Sequence, residues 1–508
     1  MLIPALVLGP ILLGFAALLI PRHAHGAAKV YGYVIALAVT IATIASASAP
    51  DATVRWLSRP FEAAFHLGWT GIGYWLAVLL AIVTLCALVA VRASRQRDFV
   101  ASILVLEGAM MGVFAAKDLL LFALFWDLML IPVFFILVGW GPAVATAWRY
   151  LLYNLVGGLT LLLATAAFGI AYGSTDVIGR TGVTPLGDVW APWIFAGFAL
   201  AFLVKTPVWP LHTWMPATYA DLPPEVAAIV SAVQSKAGLY GFIVIGIPLF
   251  GSAMHAAQPL MFVLGLIALL YGGYIALVEN DAKRVVAYSS LSHLGLILLA
   301  VFSGNDLALR GAFVYLIAHG LFSAALFLVL GYVERREETR LLDRLGGLGT
   351  RNPRLAGALV LPALAALGLP GLAGFAGEIL ILTGLYRAGY VWPAVIALIP
   401  VVLAAAYMLR VYQGMMHGPS VADLPERPDL NWVEGIALAP LVIAFVLLGI
   451  QPLPVANGLT FVAAQTATAQ GPAPPPSPTP QVTWVTIPGS MGGWVLKQVV
   501  YPTQAPQK

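Results

Sequence analysis

One cysteine, Cys86, stands in 508 residues, and only 9% of the chain is charged. The first shortage excludes an internal disulfide and any four-cysteine iron–sulfur cluster held by this chain alone. The second excludes the ordinary water-soluble domain, in which about 25% of residues are charged. No GxGxxG or GxxxxGK[ST] stretch occurs, so the phosphate cradles of the common nucleotide-binding folds are missing. The 26 basic and 22 acidic residues give a net charge of +4, scattered so that no basic stripe can follow a nucleic-acid backbone. Apolar surface is what the chain has in excess: 61% of its residues are hydrophobic and its mean hydropathy is +0.92.

A bilayer core is crossed by about 20 mostly apolar residues. Such runs lie near 2–20, 28–49, 73–91, 99–116, 119–139, 147–172, 191–218, 224–250, 256–278, 285–304, 308–333, 355–386, 389–416 and 433–456. The chain therefore reads as an all-α, polytopic membrane protein of about fourteen transmembrane helices. The first run has no basic n-region and is long enough to span, so it reads as a helix rather than a signal peptide. With the N-terminus outside, the inward loops carry 16 Lys and Arg residues, among them Arg92, Lys283, Arg335 and Arg340, against six in the outward loops. The positive-inside rule then places both termini outside. From Gln465 to Lys508 the chain turns to GPAPPPSPTP and a polar mixture, expected to be a mobile polyproline-type extension, with a docking strap on a neighbouring subunit as the alternative.

Lys205 and Lys236 fall inside expected spans, where a charged side chain costs at least ~2.5–3.5 kcal/mol and usually serves function. Asp127, His293, His319 and Glu378 share that position, which makes six candidate proton-carrying residues on separate spans. Two of these spans are interrupted. Lys205 stands two residues before Pro207, and Glu378 follows the Leu369-Pro370-Gly371 break. Proline removes a backbone donor and crowds the preceding turn. Paired broken spans in two halves of a chain point to a transport site between inverted repeats. Whether Lys205 holds its proton then depends on whether Asp127 stands beside it, and histidine can receive a proton on one ring nitrogen and release one from the other. Ser289 lies four residues before His293, while Tyr315 and Ser323 flank His319 at the same interval, so these faces can order a water chain.

Each of these residues also has a plainer reading. The histidines can be packed, hydrogen-bonded structural groups, the lysines members of structural ion pairs, and Glu378 a cap on freed amides. Glu107 reads as structural or interfacial, Lys117-Asp118 as a solvated helix junction, and His212, between Trp209 and Trp214, as an interfacial residue. Haem ligation by two histidines is the least supported reading, since no second pair exists.

Several motifs together resemble the antiporter-like membrane subunits of respiratory complex I, and among them the subunit M branch. They are VKTPVWPLHTWMP (204–216), SKAGLYG (235–241), ENDAKRVVAYSSLSHLG (279–295), AHGLFSAALFLVLGYVERR (318–336), LGLPGLAGFAGEILIL (367–382) and DLNWVEGIALAP (429–440). The resemblance covers about residues 75 to 455. It implies fourteen helices, two inverted five-helix repeats with broken seventh and twelfth helices, and a hydrophilic central axis. The implied organisation is 1–98 for helices 1–3, 99–250 and 251–417 for the two repeats, 418–464 for the last helix, and 465–508 for the Pro-rich extension. Residue by residue, the family's essential carboxylate and lysine of helices five and seven match Asp127 and Lys205. Its central lysine matches Lys236, its two histidines His293 and His319, and the glutamate of helix twelve Glu378. The last match favours subunit M, because the larger sister subunit usually has lysine there. Two departures stand out. Asp127 replaces the family's usual glutamate, and PATYADLPPEV replaces a more acidic, Ala-Pro-rich sequence.

The resemblance implies a proton-translocating membrane subunit of NADH:quinone oxidoreductase, driven by quinone reduction elsewhere in the complex. NADH, FMN, iron–sulfur clusters and quinone would then be bound by other subunits, with no cofactor or metal in this chain. Its partners would be the lipid bilayer, protons and the other membrane subunits, sister antiporter-like chains included, in a bacterial inner membrane. The alternative is a subunit of a multisubunit sodium/proton antiporter or a membrane-bound hydrogenase, which share this module.

Overall fold

The computed structural model describes residues 1–92, 94–180, 183, 186–187, 189–419 and 428–459, and the backbone of 481–488 and 494–501. In hydrocarbon every backbone donor and acceptor has to be satisfied within the chain, so the apolar runs fold as helices. Helices α1 (Leu2–Ala17) and α2 (His25–Ala45) are followed by a hairpin of β1 (Ala52–Leu57) and β2 (Ala63–Leu67), then α3 (Gly71–Ala90) and α4 (Gln96–Ala115). Next come α5 (Leu119–Leu128), α6 (Leu130–Trp140), α7 (Val144–Tyr172), α8 (Ala191–Lys205) and α9 (Met215–Asp221). The middle of the chain forms α10 (Pro224–Ala232), α11 (Ala237–Gly241), α12 (Ile247–Leu249), α13 (Gly251–Val278), α14 (Ala282–Phe302) and α15 (Asp306–Glu337). The last described helices are α16 (Leu348–Arg351), α17 (Pro353–Ala366), α18 (Ala373–Arg387), α19 (Val391–Ile396), α20 (Leu398–Met416), α21 (Trp432–Ile450) and α22 (Leu453–Ala456).

Among the described residues eleven helices are long and apolar enough to cross a membrane, and Leu2–Ala17, Ala191–Lys205 and Pro353–Ala366 are shorter apolar helices. Burial sorts them. Over an 18-residue apolar stretch of each, Pro224–Leu249 and helix α15 are wholly enclosed and α14 is 94% so, whereas only a third of α2 and of α21 is covered. A helix that is apolar all round belongs in the interior. The enclosed three carry Lys236, His293 and His319, so the candidate charges lie where protein, not lipid, surrounds them.

Both expected breaks are present. Helix α8 ends at Lys205, the chain runs irregularly past Pro207, and α9 begins with a proline in its first turn. Helix α17 ends at Ala366 and α18 resumes at Ala373, with Gly368 (φ +76°) and Gly371 (φ +93°) turning the chain between them. These angles lie in the left-handed region that only glycine enters cheaply.

A third break was not expected. The helix through Lys236 is interrupted at Val233 (φ −131°, ψ −49°), passes through a 3-10 turn at Gln234–Lys236, and widens to a π turn at Phe242–Gly246 ahead of Pro248. Pro248 offers no amide hydrogen to the preceding turn, which the wider π turn accommodates.

The hairpin corrects one expectation. Lys117-Asp118 is not a solvated junction, because Asp118 is fully buried. Its carboxylate accepts from Leu120 N (2.8 Å) and Leu121 N (3.1 Å), capping α5. It also accepts from Ala64 N of β2 (3.0 Å) and from the Thr175 hydroxyl (2.8 Å). Burial pushes the Asp118 carboxyl above the usual carboxylate range, and these four hydrogen bonds oppose it. At the other membrane face Arg336, near the end of α15, forks onto Glu434 of α21 at 3.2 and 2.7 Å, and Arg92 joins at 3.3 Å. That fork anchors the DLNWVEG segment. In the C-terminal extension, Gln481–Pro488 and Trp494–Tyr501 pair as antiparallel strands β3 and β4, where a polyproline-type segment was expected. The Pro-rich stretch itself lies outside the described residues.

Candidate functional site

Asp127 is the last residue but one of α5, and Lys205 is the last residue of α8 before the break. Lys205 is 1% exposed, and its ammonium lies 5.2 Å from the centre of the Trp126 ring. A cation over an aromatic face is stabilised by the ring quadrupole. Neither Lys205 Nζ nor Asp127 Oδ1 has a hydrogen-bond partner, so the two are not a closed ion pair, although each acts on the other's charge. The aspartate arm ends short of the lysine. Gly158 of α7 explains where the carboxylate goes, since a Cβ there would collide with Asp127 Oδ1. Gly158→Ala is therefore expected to displace Asp127 and to destabilise the subunit by about 1–3 kcal/mol, the usual cost of overpacking. Thermal unfolding of the purified complex, read against wild type, checks this.

Lys236 is fully buried at the third break. Its Nζ donates to the carbonyl of Ser231, to which Ser235 Oγ also donates at 3.1 Å. The irregular turn thus supplies a backbone acceptor that a regular helix would have used internally. Beside it Gln234 exchanges hydrogen bonds with Tyr150 of α7, at 3.2 and 2.9 Å. Lys236 also stands near enough to act on the charge of both His293 and His319.

Beyond Lys236 the polar groups continue as a line through the two histidines that is hydrogen-bonded from His293 onward. The His293 and His319 rings are 5.4 Å apart, centre to centre. Both His319 nitrogens are buried without a partner. His293 Nε2 meets Ser289 Oγ at 3.1 Å, as the helical spacing required, and Ser289 meets the Tyr407 hydroxyl at 2.9 Å. On the other side of the ring, Nδ1 meets the Tyr315 hydroxyl at 2.5 Å, and that hydroxyl lies 2.5 Å from Glu378 Oε1. Tyr315 therefore bridges His293 to Glu378 instead of flanking His319, and Ser323 turns back to the Gly320 carbonyl at 3.2 Å. Glu378 accepts from this hydroxyl and packs against Gly368 of the break, so it is not a cap on freed amides.

One further residue departs from its sequence reading, and another keeps its structural reading. His212 is buried, not interfacial, with its ring 5.2 Å from that of Tyr271 and 6.5 Å from that of Tyr288. Glu107 on α4 is fully buried with both oxygens unpartnered. Trp126 and Tyr407 were not singled out from sequence. The signal for each was faint: Trp126 adjoins Asp127, and Tyr407 brings a hydroxyl into the apolar run VVLAAAYML.

Discontinuous helices whose broken ends meet a line of buried ionisable groups define an ion-translocating membrane subunit of the antiporter-like class. The family described as NADH:quinone oxidoreductase/Mrp antiporter, TM, matches residues 116–404. The chain is 34% identical over 374 residues to NADH-quinone oxidoreductase subunit M of Rhodobacter capsulatus, covering 71% of this chain and 73% of that one. It is 34% identical over 424 residues to subunit M of Pseudomonas aeruginosa, covering 79% and 82%. A chain of respiratory complex I from Thermus thermophilus superposes with a TM-score of 0.84 at 30% identity, covering 93% of this chain and all of that one. A chain of the Mrp complex from Dietzia shares the fold, with a TM-score of 0.82 at 21% identity. This protein belongs to the NADH:quinone oxidoreductase/Mrp antiporter membrane-subunit family, and relatives named subunit M match most of its length.

Proposed function

We propose that the chain is the subunit-M component of a proton-pumping NADH:quinone oxidoreductase, and that Asp127, Lys205, Lys236, His319, His293 and Glu378 carry the proton across its middle. The observation that supports this most is the buried line from Lys236 through the two histidines and Tyr315 to Glu378, all but the last of them on helices that the rest of the chain encloses. Asp127 and Lys205 form the switch at one end of it. Lys236 is the central carrier, the histidines pass protons between ring nitrogens, and Glu378 receives them at the second break. Helices from α4 to α12 and from α13 to α20 are the two five-span units related by inverted topology. Electron transfer takes place on other subunits, which hold the flavin, the iron–sulfur clusters and the quinone. Sister antiporter-like subunits are the lateral neighbours, and the host membrane is a bacterial inner membrane with both chain termini outside.

Tyr315→Phe tests the string with little change of shape. It deletes one hydroxyl that joins His293 to Glu378, so proton pumping in sealed vesicles supplied with NADH and quinone should fall by about an order of magnitude at matched assembly. Unchanged pumping would remove Tyr315 from the path.

A further inference from the structure

A cavity of about 610 Å³ opens on the arginine-rich side of the subunit, away from the string just described. Its charged walls include Arg92, Lys283, Arg340, Asp221 and Glu334, and its floor is the segment Leu222-Pro223-Pro224-Glu225, where α10 begins. The carboxylates in it are matched by cations: Glu334 to Lys283 at 2.5 Å, Asp221 to Arg340 at 3.4 Å, and Glu225 to Arg335 at 2.5 Å. Such a balanced lining suits water and protons better than an anion. Glu225 is the deepest of these acids, only 2% exposed, and it lies in the first turn of the helix that leads to Lys236. Its partner Arg335 ends α15, the helix that carries His319. The two helices touch closely here, because Gly331 of α15 leaves the space that the Pro224 ring fills.

Lys236 stands eleven positions after Glu225, about 16 Å along a helix at 1.5 Å per residue. Hydroxyls stand at the Lys236 end of this stretch. The Tyr219 hydroxyl of α9 is buried near Ser235 without a hydrogen-bond partner, and Ser235 Oγ and Lys236 Nζ share the Ser231 carbonyl. The interruption at Val233 lies in the same stretch.

We propose that this cavity is the mouth through which protons reach Lys236 from the arginine-rich aqueous side, and that Glu225 is the first protein group to hold them. Hydronium in the cavity gives its proton to a Glu225 carboxylate oxygen, leaving water and a neutral carboxyl group. The ion pair with Arg335 is thereby released. The proton then passes along the hydroxyls to the neutral amine of Lys236, which becomes ammonium, and the Glu225 carboxylate is restored to Arg335. This rests on the reading of Lys236 as a proton carrier.

The test uses the whole complex in sealed vesicles with NADH and quinone. Glu225→Gln should lower pumping about tenfold at matched assembly, and Glu225→Asp should recover most of it, because a carboxylate on a shorter arm still exchanges a proton. Full pumping in Glu225→Gln, with Lys236→Ala inactive, overturns the mouth and leaves the relay standing. Full pumping in both variants overturns the relay itself. An independent arm does not depend on how Glu225→Gln folds. In a Pro223→Cys complex a membrane-impermeant cationic methanethiosulfonate should cut pumping several-fold in the same preparation, with recovery on adding reductant. A complete adduct, confirmed by mass, that leaves pumping unchanged overturns the proposal.

Discussion

Replacing Lys236 by alanine is expected to lower proton pumping by an order of magnitude or more, while the complex still assembles. The side chain is wholly enclosed, and its amine lies close enough to the paired histidines to act on their charge. Without it the third break holds no titratable group at this position, and the proposed relay loses its central carrier. General acid–base groups that carry a proton typically contribute factors of about 10²–10⁴, which sets the scale of the loss. Assembly should survive because Nζ holds a carbonyl that Ser235 also holds. The alanine also leaves a void, and voids in a packed interior cost about 2–5 kcal/mol for side chains of this length. Lys236→Met fills most of that void without restoring the proton site. Both variants should therefore be inactive in acidification assays, with the methionine variant the more stable. A methionine variant that pumps normally would show that packing, and not the amine, is what position 236 supplies.

The second large effect is expected at Asp127, where charge and reach can be separated. Coulomb energy is about 4 kcal/mol at 4 Å for an effective dielectric near 20 and falls with distance. Asp127 and Lys205 make no closed pair, because the shorter arm leaves Asp127 Oδ1 and Lys205 Nζ each without a hydrogen-bond partner. Asp127→Glu lengthens the arm and restores the residue usual in the family, so most pumping should be retained. Asp127→Asn keeps the size but removes the charge that acts on Lys205, and most pumping should be lost. The readout is the pH gradient formed with NADH and quinone at matched assembly, and equal activity in the two variants would reject an electrostatic role for the pair.

The parts of this arrangement that the sequence made legible are those governed by local rules. Apolar length placed the helices, Pro207 and the Leu369-Pro370-Gly371 turn placed two breaks, and the cost of burying charge drew attention to six residues. The Ser289 and His293 contact followed from helical spacing alone. What escaped depends on partners distant in the chain. Tyr315 is within a turn of His319, yet its hydroxyl turns to His293 and to Glu378, 63 residues away. The break at Val233 has no proline or glycine in the eight residues before it, Glu225 to Ala232, to announce it, and His212 was misjudged because enclosure by other helices cannot be read from its neighbours in sequence. Asp118 is the same case, since a Lys-Asp pair between two spans looks solvated until β2 and Thr175 close over it.

That last junction bears on the order in which the subunit can be completed during synthesis. The carboxylate of Asp118 fixes the start of α5, nine residues ahead of Asp127, and one of its ligands is Thr175, 57 residues later in the chain. When α5 first enters the bilayer, β2 has already been made but Thr175 has not. The seat of Asp127 therefore stays unlatched until α7 has crossed and the following loop has folded back. A ribosome has to deliver a third of the polypeptide before the first charged group of the proposed pathway acquires its final bearing.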